Sequence, residues 1–480
     1  MTSALPGEGP DRPPPTGTAA TNGSVSAGAR TGGHGPAAEP SAAGGGSVGE
    51  AHLGAEAAYL PVAVSQETSL GRRVFAYGHG ATLVDVDGRE YVDLAAGTMT
   101  QSLGHSHPEV VRAVTAQAAR LVNVHDNPTP ARLAAARALA RLLPEHLGAL
   151  GFFTTGAEVV EAALRAAHAA APPGRTRIAA LRRGFHGKTR GARAPVQWDV
   201  GTEPPAPSLL GYPAYCYRCP FDATYPSCDL LCARLTVRQA VARPDVAALL
   251  AEPVQGAAGV IVPPPGYWEI VGRACAEHGV LLVADEVLTG GGRTGRFLAA
   301  EHYGLTPDLV TLAKGLGSGH PVAVLAGSHR VLDERTWRAA GGLGSTYGGN
   351  AVGLAAAAST LTVLRRDDLL VRVRELGAVL ADALGELAEH PAVGEVRGLG
   401  LLWGVELVAD QATKTPDPEA ADRVYRRALD LGVRVMPGGQ TLRLAPPFVI
   451  KPDELTDAIR RLGRAIDDVH RDRATHGERA

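Results

Sequence analysis

The sequence predicts an α/β fold, a large domain with a mostly parallel central sheet covered by helices, joined to a smaller α/β domain. Three observations carry that prediction. From about residue 148 to 327, short, continuously apolar runs alternate with amphipathic stretches; this is how strands buried on both faces and linked by crossover helices read. The 480 residues give room for a large core and more than one domain. After about residue 355 a long Ala/Leu-rich helix and mixed elements replace the alternation, marking the smaller domain.

Residues 1–50 are Gly, Ala, Pro, Ser and Thr with almost no large apolar side chains. Such a segment cannot bury enough surface to offset its ordering entropy, so it reads as a disordered extension, with folded chain beginning near Tyr59. Residues 51–105 are expected to open the small domain. Within them ATLVDVDGREYVDLAAG (81–97) reads as two short strands around the turn Asp87-Gly88. HPEVVRAVTAQAARLV (107–122) has apolar residues three and four apart, the period of a helix.

Residues 106–355 are expected to form the large domain. GALGFF (148–153), TRIAALRR (176–183), VAALLAEPV (246–254), VLLVADEV (280–287), LVTLAKG (309–315) and PVAVLAG (321–327) are its strands. GAEVVEAALRAAHAA and WEIVGRACAEHG are two of its helices. Residues 356–480 complete the small domain from the other end of the chain.

Bulk properties exclude some functions. The composition is 45% hydrophobic and 20% charged, with 49 acidic against 47 basic residues and a formal charge of −2. Nothing there attracts nucleic acid or an anionic membrane. No apolar stretch approaches the roughly 18 residues of a membrane span. The opening MTSALPGEGPDRPPP lacks the basic start and apolar centre of a secretory signal, so a cytoplasmic location is expected.

The chemistry starts with lysine. Only Lys188, Lys314, Lys414 and Lys451 are lysines among 47 basic residues. Lys314 ends the apolar run of DLVTLAKGLGSG (308–319). Arginine stays protonated, whereas a desolvated lysine can lose its proton and act as a nucleophile. The strand VLLVADEV ends in Asp285 and Glu286, where ligands of open α/β sheets bind. Alternation points those two side chains to opposite sides. The 29 residues from Asp285 to Lys314 span about one strand–crossover–strand unit, so both can line one cleft.

FFTTGAEVVEAALRAA supplies a strand, a small-residue turn (Thr154, Thr155, Gly156, Ala157) and a helix. The N–H groups and dipole of that helix start favour an anion, although an ordinary helix cap reads the same way. GSTYGGN (344–350) is a second hydroxyl–glycine loop, and RGFHGKT (183–189) presents Phe185 and His186 beside the cleft. These parts together ask for a planar, phosphorylated, aldehyde-bearing cofactor with a protonatable ring nitrogen. Pyridoxal 5'-phosphate meets each demand.

From about residue 55 to 470 the chain resembles the class III pyridoxal-phosphate aminotransferases, a fold type I group. GHSHPEVV (104–111), TTGAEVVEAAL (154–164), GFHGKT (184–189), EPVQGAAGV (252–260), ADEVLTGGGRTGRF (284–297), PDLVTLAKGLGSG (307–319), GSTYGGN (344–350) and LRLAPP (442–447) carry the resemblance. It implies an aminotransferase working by a ping-pong cycle between a small-molecule amino donor and a keto or aldehyde acceptor. By the same resemblance Lys314 forms the internal aldimine and shuttles the proton, and Asp285 pairs with the pyridine nitrogen. Val287 packs under the ring and Phe185 over it. Thr155, Gly156 and Ala157 hold the phosphate, with Thr346 reaching it from a second subunit of a homodimer. Arg443 grips a substrate α-carboxylate, and Glu252 neutralises that arginine when the donor lacks one. A racemase, epimerase or decarboxylase on the same scaffold shares Lys314 and Asp285 and stays open as an alternative.

Three departures stand out. Leu288 occupies a position where the family often carries a glutamine that bonds the cofactor's phenolic oxygen. Thr155 stands where serine is common. The insert YPAYCYRCPFDATYPSCDLLCARL (212–235) holds Cys216, Cys219, Cys228 and Cys232. That spacing is compatible with zinc, with local disulfides or with free thiols; the family requires no metal here. Cys275, in an amphipathic helix, is expected in the core.

Overall fold

A computed structural model describes residues 47–60, 69–196, 209–332 and 344–477. Most of the predicted extension, residues 1–46, lies outside them. The chain is helical earlier than expected: Val48–Ala57 forms a helix, closed by a capping box between Ser47 and Glu50. Its sequence VGEAHLGAEA has no apolar stripe, so periodicity could not reveal it.

Strands β1 (Phe75–His79), β2 (Thr82–Asp85) and β3 (Glu90–Asp93) form an antiparallel meander around the predicted turn. The expected helix follows as Pro108–Ala118, with Pro108 at its start.

The central sheet contains β4 (Ala149–Phe153), β5 (Arg177–Leu181), β6 (Leu209–Gly211), β7 (Val246–Ala251), β8 (Leu281–Asp285), β9 (Leu309–Leu312) and β10 (Ala323–Gly327). Their order is β4-β10-β9-β8-β7-β5-β6. Every neighbouring pair is parallel except those of β10, which runs antiparallel to both β4 and β9.

All six residues of β7 are buried because both faces are covered. Ala248 and Leu250 face one apolar cluster with the helix Gly156–Ala170, while Leu249 and Ala251 face another with Trp268 and Val271. Each such leucine contributes about 1.5–3 kcal/mol on leaving water. The helix Tyr267–His278 stops at Gly279, whose φ of 62° suits the left-handed end of a helix.

Beyond the helices Ala351–Arg366 and Leu369–Ala388, the chain forms β11 (Val393–Leu399), β12 (Leu402–Asp410) and β13 (Thr415–Pro416). Then come β14 (Val433–Arg434), β15 (Met436–Gly438) and β16 (Thr441–Leu444). The order β11-β12-β16-β15 makes a second sheet. β14 instead pairs in parallel with β3, so the two ends of the chain share one sheet. No helix among the described residues is long and apolar enough to cross a membrane.

Candidate active site

β8 and β9 lie side by side in parallel, with Asp285 opposite Thr311. Their carboxyl ends open into a cavity of about 890 Å³. Lys314, Asp285, Glu252, Val287, Phe185 and His186 line it, as do Thr155, Gly156, Ala157 and Arg443. Thr346 does not join them: its side chain is exposed, and its carbonyl accepts from Asn123 Nδ2 at 3.0 Å.

Lys314 follows β9 with a φ of 44°, a backbone conformation that costs a non-glycine residue about 1–2 kcal/mol. Nζ makes no hydrogen bond or ion pair among the described residues. Burial pulls its pKa down to about 8, against the opposing charges of Asp285 and Glu252 and with a further push from Arg443. An amine so placed is part-neutral near physiological pH, as a nucleophile requires.

Asp285 is held from three sides. Oδ1 accepts from Val287 N at 3.1 Å and from Thr311 Oγ1 at 3.0 Å, and Oδ2 lies 2.6 Å from His186 Nδ1. Burial alone would lower the pKa of His186, but the hydrogen bond and charge of Asp285 outweigh it and leave it raised. His186 therefore acts on Asp285. Its other nitrogen, Nε2, is buried without a partner. Glu286 points away as alternation predicts: Ala300 N donates to it at 2.7 Å, Thr289 holds its other oxygen, and burial lifts its pKa to about 7.

Glu252 is buried. Its oxygens accept from the N–H groups of Phe185 (3.0 Å) and Gly256 (2.9 Å). Burial raises its pKa to about 6, with His186 opposing and Asp285 adding to the rise. It makes no ion pair with Arg443, whose Nη2 donates to Pro437 O at 3.1 Å.

At the start of the helix Gly156–Ala170 both readings of the motif hold. Thr155 caps it, accepting from Glu158 N at 3.3 Å, while Glu158 reaches back to Thr154 N and Thr155 N. The N–H groups of Gly156 and Ala157 remain without partners among the described residues, and Thr154 Oγ1 is buried and unpaired. Gly156 is required by close approach: a Cβ there would stand 2.9 Å from Val287 Cγ1.

These features fit pyridoxal phosphate. Open N–H groups at a helix start suit its phosphate, Val287 and Phe185 its ring faces, Asp285 its ring nitrogen, and the unpaired Lys314 amine its aldehyde. Leu288, which lines the same cavity, packs toward Gly256 and the cluster of Val254 and Met436, so it contributes apolar surface where a glutamine would contribute a donor.

Sequence reasoning missed a wall of this site. Ala96, Gly97, Thr98 and Met99 all have positive φ, from 44° to 70°, and make one left-handed helical turn with Thr98 and Met99 on the cavity. The buried Asp93 pins it. Oδ1 accepts from Ala95 N and Arg434 Nη1, and Oδ2 from Gly97 N and His105 Nε2, all at 2.8–2.9 Å. Burial would raise the Asp93 pKa, yet His105 and Arg434 keep it low. Thr311 was also missed, although a threonine inside the apolar run LVTL was a visible signal.

The five cysteines are free thiols, with Cys216 exposed and Cys275 buried in the core as expected. Burial pushes Cys275 up to about 12. No group of three or more His, Cys, Asp or Glu among the described residues is arranged to hold a metal.

Comparison with known proteins agrees with this geometry. A leucine/methionine racemase of Thermococcus litoralis is 35% identical over 405 residues, covering 82% of this chain and 90% of that protein. An acetylornithine aminotransferase of Mycobacterium tuberculosis is 38% identical over 398 residues, 82% of this chain and 91% of that protein. The crystal structure of an (S)-enantioselective omega-transaminase from Thermomicrobium roseum superposes with a TM-score of 0.81 at 31% identity, covering 87% and 98% of the two chains. Residues 64–466 match the family model for aminotransferase class-III. The chain belongs to the class III aminotransferases, fold type I enzymes whose cofactor is pyridoxal phosphate.

Proposed function

We propose that this enzyme moves an amino group from an amino acid or amine donor to a keto or aldehyde acceptor in two half-reactions at one site, with Lys314 as both cofactor anchor and proton carrier. The observation that carries this reading is the unpaired Lys314 amine, with its pKa near 8, in the cavity that holds Asp285. When bound, pyridoxal phosphate supplies the aldehyde that takes up the amino group and the ring that draws electrons from the donor carbon.

The chain's own residues do the rest. Asp285, fixed by Thr311, Val287 and His186, holds a proton on the ring nitrogen. Val287 and Phe185 keep water from the ring faces. Thr155 with the N–H groups of Gly156 and Ala157 binds the phosphate. Arg443 offers its fork to an α-carboxylate. Glu252 would turn to Arg443 for donors lacking that group, giving up its bonds to Phe185 and Gly256.

A homodimer with shared sites fits the surface around Thr346. Tyr347 and Val122 are 63% and 56% exposed, and Asn123 ties this strip to Thr346. Light scattering should give twice the 49.6 kDa chain mass. Five free thiols suit a reducing compartment such as the cytoplasm.

The Thermococcus litoralis relative named as a racemase favours one second reading, racemisation. Incubating the holoenzyme with one amino acid and no acceptor in deuterium oxide separates the two. Amino transfer releases one equivalent of keto acid per site; racemisation places deuterium at Cα and yields the enantiomer without keto acid.

A further inference from the structure

One buried cation takes no part in the reaction above. Arg293, in the loop that follows β8, is buried and makes no ion pair among the described residues. Burial works against its charge, and no carboxylate offsets it. An apolar side chain of similar size would avoid that cost, so the reason for an arginine lies in what its nitrogens hold. Nη1 donates to two carbonyls, Leu401 O at 3.2 Å and Pro446 O at 2.6 Å. The Arg293 carbonyl accepts from Leu401 N at 3.0 Å, and the guanidinium carbon lies 4.7 Å from the centre of the Phe448 ring.

Those two carbonyls occupy matching places. β12 and β16 run antiparallel, with Gly404 opposite Arg443 and Trp403 opposite Leu444, so the same register carried two residues on sets Leu401 opposite Pro446. The ladder cannot continue there by itself, because Pro446 and Pro447 have no N–H. Arg293 supplies the missing donor and closes the end of the strand pair that carries Arg443. The other side of this clamp is the end of the central sheet that holds Asp285, eight positions before Arg293. The loop between them is tied down: Glu286 N donates to Thr311 O at 3.0 Å, Gly290 N to Glu286 O at 2.8 Å and Gly291 N to Phe297 O at 2.9 Å. Just past Arg293 the backbone passes close under the turn between β11 and β12, where a Cβ on Gly400 would stand 2.5 Å from the carbonyl carbon of Thr294.

We propose that Arg293 is a positioning residue: by clamping the end of β12 and β16 to the loop after β8, it sets where Arg443 stands relative to Asp285 and Lys314, and so how tightly the site binds an α-carboxylate. With no acid competing for it, its Nη1 hydrogens go to the two strand-end carbonyls. A grip held in place before the substrate arrives loses less freedom on binding. The inference rests on the reading of Arg443 as the carboxylate grip.

The test follows the cofactor absorbance of the holoenzyme mixed with L-alanine or with ethylamine, which is alanine without its carboxylate. Arg293→Met should raise the half-saturating concentration of L-alanine at least tenfold, with the limiting rate within threefold of wild type and the half-saturation for ethylamine within twofold. Arg293→Lys, which restores donors, should recover part of the loss. Phe448→Leu leaves Arg293 in place but removes the ring beside it; it should shift L-alanine less and in the same direction, and it is the second variant should Arg293→Met fold poorly. In an Arg443→Gln background Arg293→Met should add no further loss toward L-alanine. A readout without turnover is the melting temperature: propionate should raise that of the wild-type holoenzyme more than propionamide does, and the difference should shrink in Arg293→Met and vanish in Arg443→Gln. This comparison decides the matter if neither amine reacts. Equal losses toward both amines, an unchanged response to L-alanine and propionate, or an additive loss in the Arg443→Gln background would overturn the proposal. If Arg443→Gln by itself alters neither the L-alanine half-saturation nor the propionate difference, the reading of Arg443 fails and this inference falls with it.

Discussion

Replacing Lys314 with methionine should stabilise the cofactor-free protein, and only below alkaline pH. A lysine whose pKa falls from 10.5 to about 8 destabilises the folded state, at about 1.4 kcal/mol per pH unit, by about 3 kcal/mol where it is charged. Lys314 is half-buried, so residual solvent access brings the expected value to about 2–3 kcal/mol. Below pH 8 the lysine is protonated in both states and the penalty is complete. Between pH 8 and 10.5 the folded chain has released a proton that the unfolded chain keeps, so wild-type stability rises with pH. Methionine has no proton to lose and fills similar volume. The assay is urea denaturation of both cofactor-free proteins at pH 7, 9 and 10.5. The advantage of Lys314→Met should be largest at pH 7 and shrink steadily toward pH 10.5. A difference that is constant with pH, or a variant less stable at pH 7, would refute the account of a desolvated amine.

Two further outcomes follow from the same site. Thr311→Val keeps shape but removes one of the bonds to Asp285; a loss of about 1.5 kcal/mol should weaken cofactor binding roughly tenfold, measured by titration of the absorbance band, with the melting temperature of the cofactor-free protein nearly unchanged. Gly156→Ala should drive Val287 from its place, since the added carbon would lie 2.9 Å away; cofactor affinity should fall, and the second substitution Val287→Ala should restore part of it in the same titration.

The parts of this fold that could be read in advance are those with a local cause. Continuous apolar runs marked β5, β7, β8, β9 and β10 because burial on both faces leaves no polar alternation. The 29-residue spacing brought Asp285 and Lys314 to adjacent strands because one crossover has a characteristic length. Thr155 was legible as a cap because it stands in the small-residue turn directly before the helical run GAEVVEAALRAAHAA. What escaped depends on distant partners or on backbone shape. Glu406 meets Tyr215 and Arg218 across 191 and 188 residues, and no spacing rule spans that gap. The turn Ala96–Met99 contains only one glycine, so its left-handed path is invisible in AAGTM. It exists because Asp93 gathers N–H groups from that turn with Arg434, a residue 341 positions away.

That turn has a consequence for how the pocket can change. Because Asp93 fixes the backbone from behind, the side chains of Thr98 and Met99 are displayed on a rigid bracket whose path does not depend on their identity. Straight-chain, asparagine or glycine replacements can alter the contour facing the substrate without moving the neighbouring loops, and the turn already holds the β-branched Thr98 at a φ of 70°, whereas proline, with its φ fixed near −65°, would break the bracket itself. Diversity in the molecules this enzyme accepts can therefore arise at two adjacent positions, by single substitutions, with the lysine and its supporting acids left untouched.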